Sequence, residues 1–144
     1  MDIDVAVRPM VDLGDSPLGR RRLVVFYGGT FEGRDGLHGT IEPGGVDWQI
    51  VRADGVIEID AHYVLATDDG ESIEVRSTGI RKASAAVAER LVRGEEVEPS
   101  EYYFRTHVRL STSARRLAWM NGLIAVSTGE RRHGSVRISV HEVL

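Results

Sequence analysis

The chain has 144 residues, no cysteine and a formal net charge of −4. The missing cysteines exclude disulfides, thiolate catalysis and cysteine-ligated zinc, and the acidic balance argues against a nucleic-acid partner, because phosphate binding requires a basic surface. No apolar run is long enough for a helical membrane span and the acidic start does not resemble a signal peptide, so we expect a cytoplasmic protein without membrane contacts, folded as one domain over residues 1–144.

The first half of the chain predicts a series of short antiparallel strands. A short first strand and a loop over residues 12–19 are followed by strands at 22–33, 36–42, 46–52, 56–67 and 72–80. Asp54-Gly55 and Asp69-Gly70 lie between apolar runs and predict hairpin turns, because glycine adopts positive φ without strain. Two hairpins in succession indicate a meander.

The second half predicts one helix and then more strands. Ser84 can cap a helix that runs to about residue 93, with one apolar stripe and with Gly94 directly after it. Strands are predicted at residues 102–110, 117–128 and 135–143. About eight to ten strands are enough to close a barrel around one small ligand. The predicted fold is therefore mainly all-β: a single antiparallel β-barrel with one short helix packed against an end.

Sequence motifs for common cofactors are absent. The chain contains no G-x-G-x-x-G, P-loop, G-x-S-x-G or H-E-x-x-H motif. Its five histidines are scattered singly, and no spacing among them favours a metal site. We therefore expect neither a nucleotide cofactor nor a metal.

The strand at 56–67 carries the most suggestive pair, Asp60 and His62. Residues two apart in a strand share a face and lie about 6–7 Å apart, so the two side chains point the same way. A carboxylate beside an imidazole can tune its pKa and produce a general acid or base. The pair is a catalytic candidate if this face lines the barrel, whereas the commoner situation for a polar strand face is exposure to solvent.

Two further clusters combine aromatic and charged side chains. In one, a glycine-rich turn precedes Asp47 and Trp48, which could serve as a base and a stacking wall, or as an ion-paired residue and a core residue. In the other, Tyr103 and Arg105 share a strand face. Arg105 could clamp a carboxylate, enolate or phenolate through its planar fork, or only form a salt bridge with Asp47 or Asp60.

A last candidate pair is Trp119 and Asn121, which share a face if residues 117–128 form a strand. An asparagine amide both donates and accepts, and so can orient a ligand in an apolar pocket. An asparagine just before Gly122 more often ends a strand at a turn.

These stretches together resemble one known family over nearly the whole chain, the domain-of-unknown-function 3237 family, also called uncharacterised protein family 0311. The matching segments are Gly28-Gly29-Thr30-Phe31-Glu32-Gly33, Pro43-Gly44-Gly45-Val46-Asp47-Trp48, Asp60-Ala61-His62-Tyr63, Tyr102-Tyr103-Phe104-Arg105-Thr106 and Trp119-Met120-Asn121. The resemblance implies an antiparallel β-barrel and no established activity. It also implies that Asp47, Asp60, Arg105 and Asn121 occupy characteristic polar positions, and that His62 replaces a typical arginine.

The hypothesis favoured by the sequence is an enzyme that works on a small aromatic or polyketide-like metabolite without metal or nucleotide. Asp60 and His62 would move protons, Arg105 and Asn121 would hold an oxyanion, and Trp48, Tyr103 and Trp119 would form walls. Asp47 is the remaining candidate ligand contact. The alternatives are a non-catalytic carrier or sensor of a small hydrophobic ligand, and an oligomeric structural module with a filled interior. Exposed strands could also support a homodimer.

Overall fold

A computed structural model describes residues 1–144 and consists of ten strands and one α-helix. The strands are β1 (Asp2–Val7), β2 (Val11–Ser16), β3 (Gly19–Glu32), β4 (His38–Ile41), β5 (Val46–Val51), β6 (Ile57–Thr67), β7 (Ser72–Ala83), β8 (Tyr102–Ser111), β9 (Ala125–Arg132) and β10 (Ser135–Glu142). The helix is α1 (Ala85–Val92), and 3₁₀ segments lie at Arg34–Gly36, Pro99–Glu101 and Arg115–Gly122. None of these helices combines the length and the apolar character needed to cross a membrane.

The strands close into an eight-stranded antiparallel barrel with two additional strands. Consecutive strands from β6 to β10 are hydrogen-bonded neighbours, and β1 pairs with both β10 and β3 and so closes the ring. β4 and β5 follow one another in the single position between β3 and β6. β2 pairs only with β3. The predicted fold class is confirmed.

The barrel interior is the hydrophobic core. In β8 the burial alternates without exception, and in β6 the buried positions are Ile59, Ala61, Tyr63, Leu65 and Thr67. Because successive side chains of a strand point to opposite faces, the apolar set of each strand fills the lumen and its neighbours face solvent. A cluster of 25 buried residues results.

One end of the barrel is closed by the 3₁₀ segment Arg115–Gly122. Leu117 and Met120 are buried there and belong to the core cluster. The predicted strand 117–128 was therefore wrong over residues 117–124, and β9 begins only at Ala125. The two buried residues are three apart, which matches the three residues per turn of a 3₁₀ helix and places both on one side.

The opposite end lies beside α1 and beside the hairpin formed by β2 and β3. The hairpin corrects the predicted loop over residues 12–19, since β2 pairs with β3 there. Ser84 caps α1 as predicted: its hydroxyl accepts a 3.2 Å hydrogen bond from the amide of Val87. Gly94 follows the helix with φ of 76°, and Leu91 is the residue that α1 buries.

Substituting Ser84→Ala should lower the free energy of unfolding by about 1 kcal/mol, because the helix loses the side-chain acceptor for a first-turn amide. Urea denaturation followed by circular dichroism would measure the change. The matched control is Ser100→Ala, since Ser100 is exposed and its hydroxyl makes no hydrogen bond within the protein. An equal effect of both substitutions would show that the cap does not stabilise α1.

Candidate functional site

Polar side chains enter the otherwise apolar lumen near the end that carries α1. They come from four strands: Arg22 of β3, Asp47 and Gln49 of β5, Arg81 of β7 and Arg131 of β9. Each occupies an inward position of its strand, so the sheet register alone brings them together. Arg22 lies opposite Gln49 across the β3–β5 ladder, and Asp47 lies opposite Ala61 across the β5–β6 ladder.

Gln49 connects the carboxylate to one of the arginines. The Nε of Arg22 donates to Oε1 of Gln49 at 2.7 Å, and Nε2 of Gln49 donates to Oδ2 of Asp47 at 2.5 Å. The other carboxylate oxygen, Oδ1 of Asp47, is buried without a hydrogen-bond partner. A buried acceptor without a donor lowers the stability of the folded state. Such an atom is available to a ligand or a proton.

Asp47 is 7% exposed, and burial raises the pKa of its carboxyl from 3.8 to about 6. The hydrogen bond from Gln49, the charge of Arg81, the nearby backbone amide of Asp60 and the charge of Arg22 lower this pKa without overcoming burial. A carboxyl with a pKa close to neutral exchanges a proton at physiological pH, which is the property required of a general acid or base.

Arg81 is the most buried cation of the site, at 8% exposure. Burial lowers the pKa of its guanidinium to about 9, with further lowering by the charges of Arg131 and Arg22. No carboxylate lies within 4 Å of Arg22, Arg81 or Arg131, although many exposed arginines have one. The Arg81 guanidinium lies 5.9 Å from the centre of the Phe104 ring.

A row of buried hydroxyl groups faces the lumen from β7, β8 and β9. Ser77 Oγ and Thr106 Oγ1 are 2.6 Å apart, and Thr106 Oγ1 is 2.7 Å from Ser127 Oγ. All three side chains are buried. They satisfy one another and give β7, β8 and β9 a polar stripe facing the lumen, with Ser77 and Thr106 lining the inner cavity.

The open space has two parts. An inner cavity of about 30 Å³ lies among Asp47, Ser77, Arg81 and Thr106, and it has room for one or two water-sized groups. An outer vestibule of about 460 Å³ lies between the β1–β2 connection, β3, the β9–β10 turn and the C-terminal end of α1, and its size is that of a small-molecule site. The lumen predicted to hold a whole ligand is therefore mostly filled, and only its mouth is large enough.

Asp60 and His62 share a face, as the strand periodicity predicted, but that face is the outside of the barrel. Asp60 Oδ2 lies 3.2 Å from a guanidinium nitrogen of Arg76, and His62 Nε2 lies 2.7 Å from Oε1 of Glu74. The inward positions of β6 are taken by its apolar residues. The condition under which this pair was a catalytic candidate, a strand face that lines the barrel, is therefore not met.

Three of the other candidates also lie on the outer surface. Trp48 is 45% exposed and Tyr103 is 50% exposed. The guanidinium of Arg105 lies 5.0 Å from the Tyr103 ring and donates to the carbonyl oxygen of Phe104 at 2.8 Å. Arg105 has no carboxylate within 4 Å, so neither predicted salt bridge forms.

Trp119 and Asn121 belong to the closed end rather than to the site. The Asn121 side chain accepts from the amide of Thr112 at 2.8 Å and donates to the carbonyl oxygen of Thr112 at 2.9 Å. Arg34 stacks over the Trp119 ring, 4.0 Å from its centre. Of the eight predicted site residues, only Asp47 lines the lumen.

Sequence reasoning missed the three arginines and Gln49, although a signal was present for some of them. Arg81 has the same parity as the apolar Ile73 and Val75 of its strand, and Arg22 has the parity of Val24. A charged residue that alternates in step with the apolar residues of a barrel strand shares their face, and therefore points into the lumen.

The family model described as "Protein of unknown function (DUF3237)" matches residues 1–143. The chain belongs to the DUF3237 family. A UPF0311 protein of Rhodopseudomonas palustris is 34% identical over 142 residues, covering 99% of this chain and 92% of that protein. The predicted family membership is confirmed.

Solved structures of similar proteins have the same fold. The crystal structure of the Rhodopseudomonas palustris protein, described as a conserved protein of unknown function, superposes with a TM-score of 0.95 over 99% of this chain and 93% of that one. A "beta-barrel like protein" of Acinetobacter baumannii, 36% identical, superposes with a TM-score of 0.83 over 98% of this chain and 90% of that one. A protein of Penicillium herquei described as an enzyme is 22% identical, with a TM-score of 0.66 over 96% of this chain and 90% of that one, and shares the fold.

Proposed function

We propose that this DUF3237 protein is an enzyme that carries out acid–base chemistry on a small aromatic or polyketide-like metabolite, without metal or nucleotide. The reaction would be an isomerisation, cyclisation, dehydration or lyase cleavage. The observation that carries the proposal is Asp47, a nearly inaccessible carboxyl in the lumen with a pKa of about 6 and one oxygen without a partner.

Asp47 takes the role that the sequence had suggested for Asp60 and His62. Its free Oδ1 would remove a proton from a carbon or a hydroxyl group of the substrate, and the protonated carboxyl would return it elsewhere on the molecule. Gln49 holds the other oxygen and so fixes the direction in which Oδ1 faces. A base with a pKa near the working pH combines a useful ionised fraction with a useful proton affinity.

The arginines supply the second element that such chemistry needs. Proton removal next to a carbonyl group or from a phenol leaves negative charge on oxygen, and donors fixed in advance around that oxygen lower the barrier. Arg81 faces both the inner cavity and the vestibule, and no carboxylate lies within 4 Å of its guanidinium. It is the residue we expect to stabilise the oxyanion, in place of the exposed Arg105.

The proposal is tested by incubating the protein with a metabolite extract of the organism that encodes it and following the compounds by mass spectrometry. We expect one compound to be consumed and one new mass or isomer to appear. Substituting Asp47→Asn should reduce that turnover at least 100-fold, the usual contribution of a positioned acid–base group. The matched control is Asp69→Asn, which removes a carboxylate from the exposed β6–β7 turn.

A second variant distinguishes an active site in the lumen from one on the outer face of the barrel. The double variant Asp60→Asn, His62→Ala changes the pair that sequence periodicity had favoured. Loss of turnover in that variant together with full turnover in Asp47→Asn would move the active site to the outside of β6 and overturn the proposal.

The carrier or sensor remains the second candidate, and the size of the inner cavity favours it. At about 30 Å³ the cavity admits only the tip of a ligand, so most of a bound molecule would lie in the vestibule. A carrier predicts a compound that is retained unchanged by the wild type and by Asp47→Asn alike.

A further inference from the structure

We infer that the vestibule is built to take an organic dianion: an apolar body that carries two negative charges on oxyanion groups. The inference deepens the proposed function by naming its substrate class, and it rests on that function only for the location of the site. The inference is based on three arginines, Arg22, Arg81 and Arg131, which we call the basic mouth. These three side chains line the vestibule together.

The charge balance of the basic mouth is unequal. Its three guanidinium groups face one acidic side chain inside the barrel, Asp47, and none of the three has a carboxylate within 4 Å. The vestibule is also lined by Arg8, Glu95, Arg132 and His133. Glu95 is paired with Arg90 and Arg93, and Arg132 with Asp4 and Glu130. Exposed arginines of the same chain are commonly paired, for example Arg20 with Asp12 and Asp15, and Arg116 with Asp69 and Glu71. With Asp47 ionised, two positive charges remain without a counterion.

The three cations are close enough to act on one another. The charge of Arg131 lowers the pKa of Arg22, after the larger effect of burial. Removing cations from water without partners is unfavourable, and burial at Arg81 is nearly complete. A folded chain that maintains this arrangement has a place for an external anion, and a charge of −2 neutralises it.

Arginine geometry also selects the kind of anion. Each guanidinium presents a planar set of donors that matches a carboxylate or a phosphate in a two-point contact. The guanidinium groups of Arg81 and Arg131 make no hydrogen bonds within the protein. Arg131 does donate to the Tyr102 hydroxyl, but through its backbone amide. Their donors are therefore available to oxyanions.

The rest of the vestibule indicates that the dianion is organic. Five apolar side chains line it beside the arginines: Val7 of β1, Met10 before β2, Val24 of β3, and Leu91 and Val92 of α1. Val92 is 72% exposed, which leaves an apolar rim above the charged floor. An inorganic ion would leave this rim uncovered, whereas a molecule with a hydrocarbon or aromatic body would bury part of it.

The test measures binding of four aromatic probes of similar size by isothermal titration calorimetry at pH 7.5 and low salt. Phthalate and phenyl phosphate carry a charge close to −2 as a dicarboxylate and a phosphate ester, benzoate carries −1, and benzamide is neutral. We expect at least one of the two dianions to bind 10-fold or more tightly than benzoate, and benzamide to bind weakest. Tighter binding of phthalate would identify a dicarboxylate, and tighter binding of phenyl phosphate a phosphate ester.

Variants link the binding to the basic mouth. Arg81→Met and Arg131→Gln should each weaken the preferred dianion about 10-fold or more, while Arg109→Gln, on the outer face of β8, should leave it unchanged. Asp47→Asn should bind the dianion more tightly than the wild type, because it removes the only opposing negative charge of the lumen. Loss of turnover with retained binding in Asp47→Asn separates this inference from the proposed reaction.

The inference is wrong if benzoate or benzamide binds as tightly as both dianions, or if none of the charged probes binds. It is also wrong if Arg109→Gln weakens binding as much as Arg81→Met. If Arg81→Met fails to fold, Arg131→Gln decides the question, since Arg131 is less buried than Arg81.

Discussion

Substituting Asp47→Asn should make the protein more stable than the wild type at pH 8, by about 3 kcal/mol, and should change its stability little below pH 4. The reason is the pKa of Asp47, which burial raises from 3.8 to about 6 in the folded protein. A pKa that is raised by folding means that the folded state prefers the protonated carboxyl. That contribution to stability is fully present below pH 3.8 and is lost as the pH rises through about 6.

The measurement is the free energy of unfolding in urea for both proteins at intervals between pH 4 and pH 8. The difference between the two should grow across that range, with most of the change between pH 4 and pH 6. Asp69→Asn again provides the control, because it removes a carboxylate from solvent rather than from the lumen. A difference that does not vary with pH would mean that burial does not penalise the charge on Asp47, and would remove the main argument for an acid–base role.

Substituting Gly129→Val should destabilise the protein by about 3 kcal/mol, near the upper end of the range for an overpacked core. A Cβ atom at this position would lie 2.5 Å from Cδ1 of the Phe104 ring, and Phe104 is itself buried. Valine suits a β-strand, so the loss would come from the displaced ring and not from the backbone. Urea denaturation at pH 7 would measure it.

The same substitution should affect ligand binding, because the Phe104 ring lies beside the Arg81 guanidinium. A displaced ring moves the surface against which that cation is held, so affinity for a dianion should fall together with stability. Gly122→Val is the control, since no atom lies within 4 Å of a Cβ at Gly122. Unchanged stability in Gly129→Val would show that the Phe104 ring has another place to go.

Much of the fold could be predicted from local sequence features. Period-two alternation and Asp-Gly turns identified β6 and β7, and Ser84 with Gly94 identified the limits of α1. The segment 115–122 was not recognised, because a short apolar run fits a strand and a helix equally well. The homo-oligomer and the cytoplasmic location stay predictions, and the first is open to size-exclusion chromatography.

The candidate site was harder to predict because β5 reverses the usual pattern. Its apolar residues Val46 and Trp48 are less buried than the polar Asp47 and Gln49, which face the lumen. A rule that directs apolar residues inward fails on such a strand, and local rules commonly fail where a protein keeps a functional site. On β6 the same rule holds, and Asp60 lies on the solvent-facing side of the strand.

The closure of the barrel by β1 has a consequence for how the protein is made. Asp2 pairs with Ser139 and Val5 pairs with Val136, so the first strand of the barrel to be translated has as its neighbour the last strand of the barrel. Until β10 emerges, β1 has one bare edge and the lumen has a gap in its wall. The barrel can therefore complete its folding only after translation of the whole domain, and we expect a slow closing step dominated by this long-range pairing.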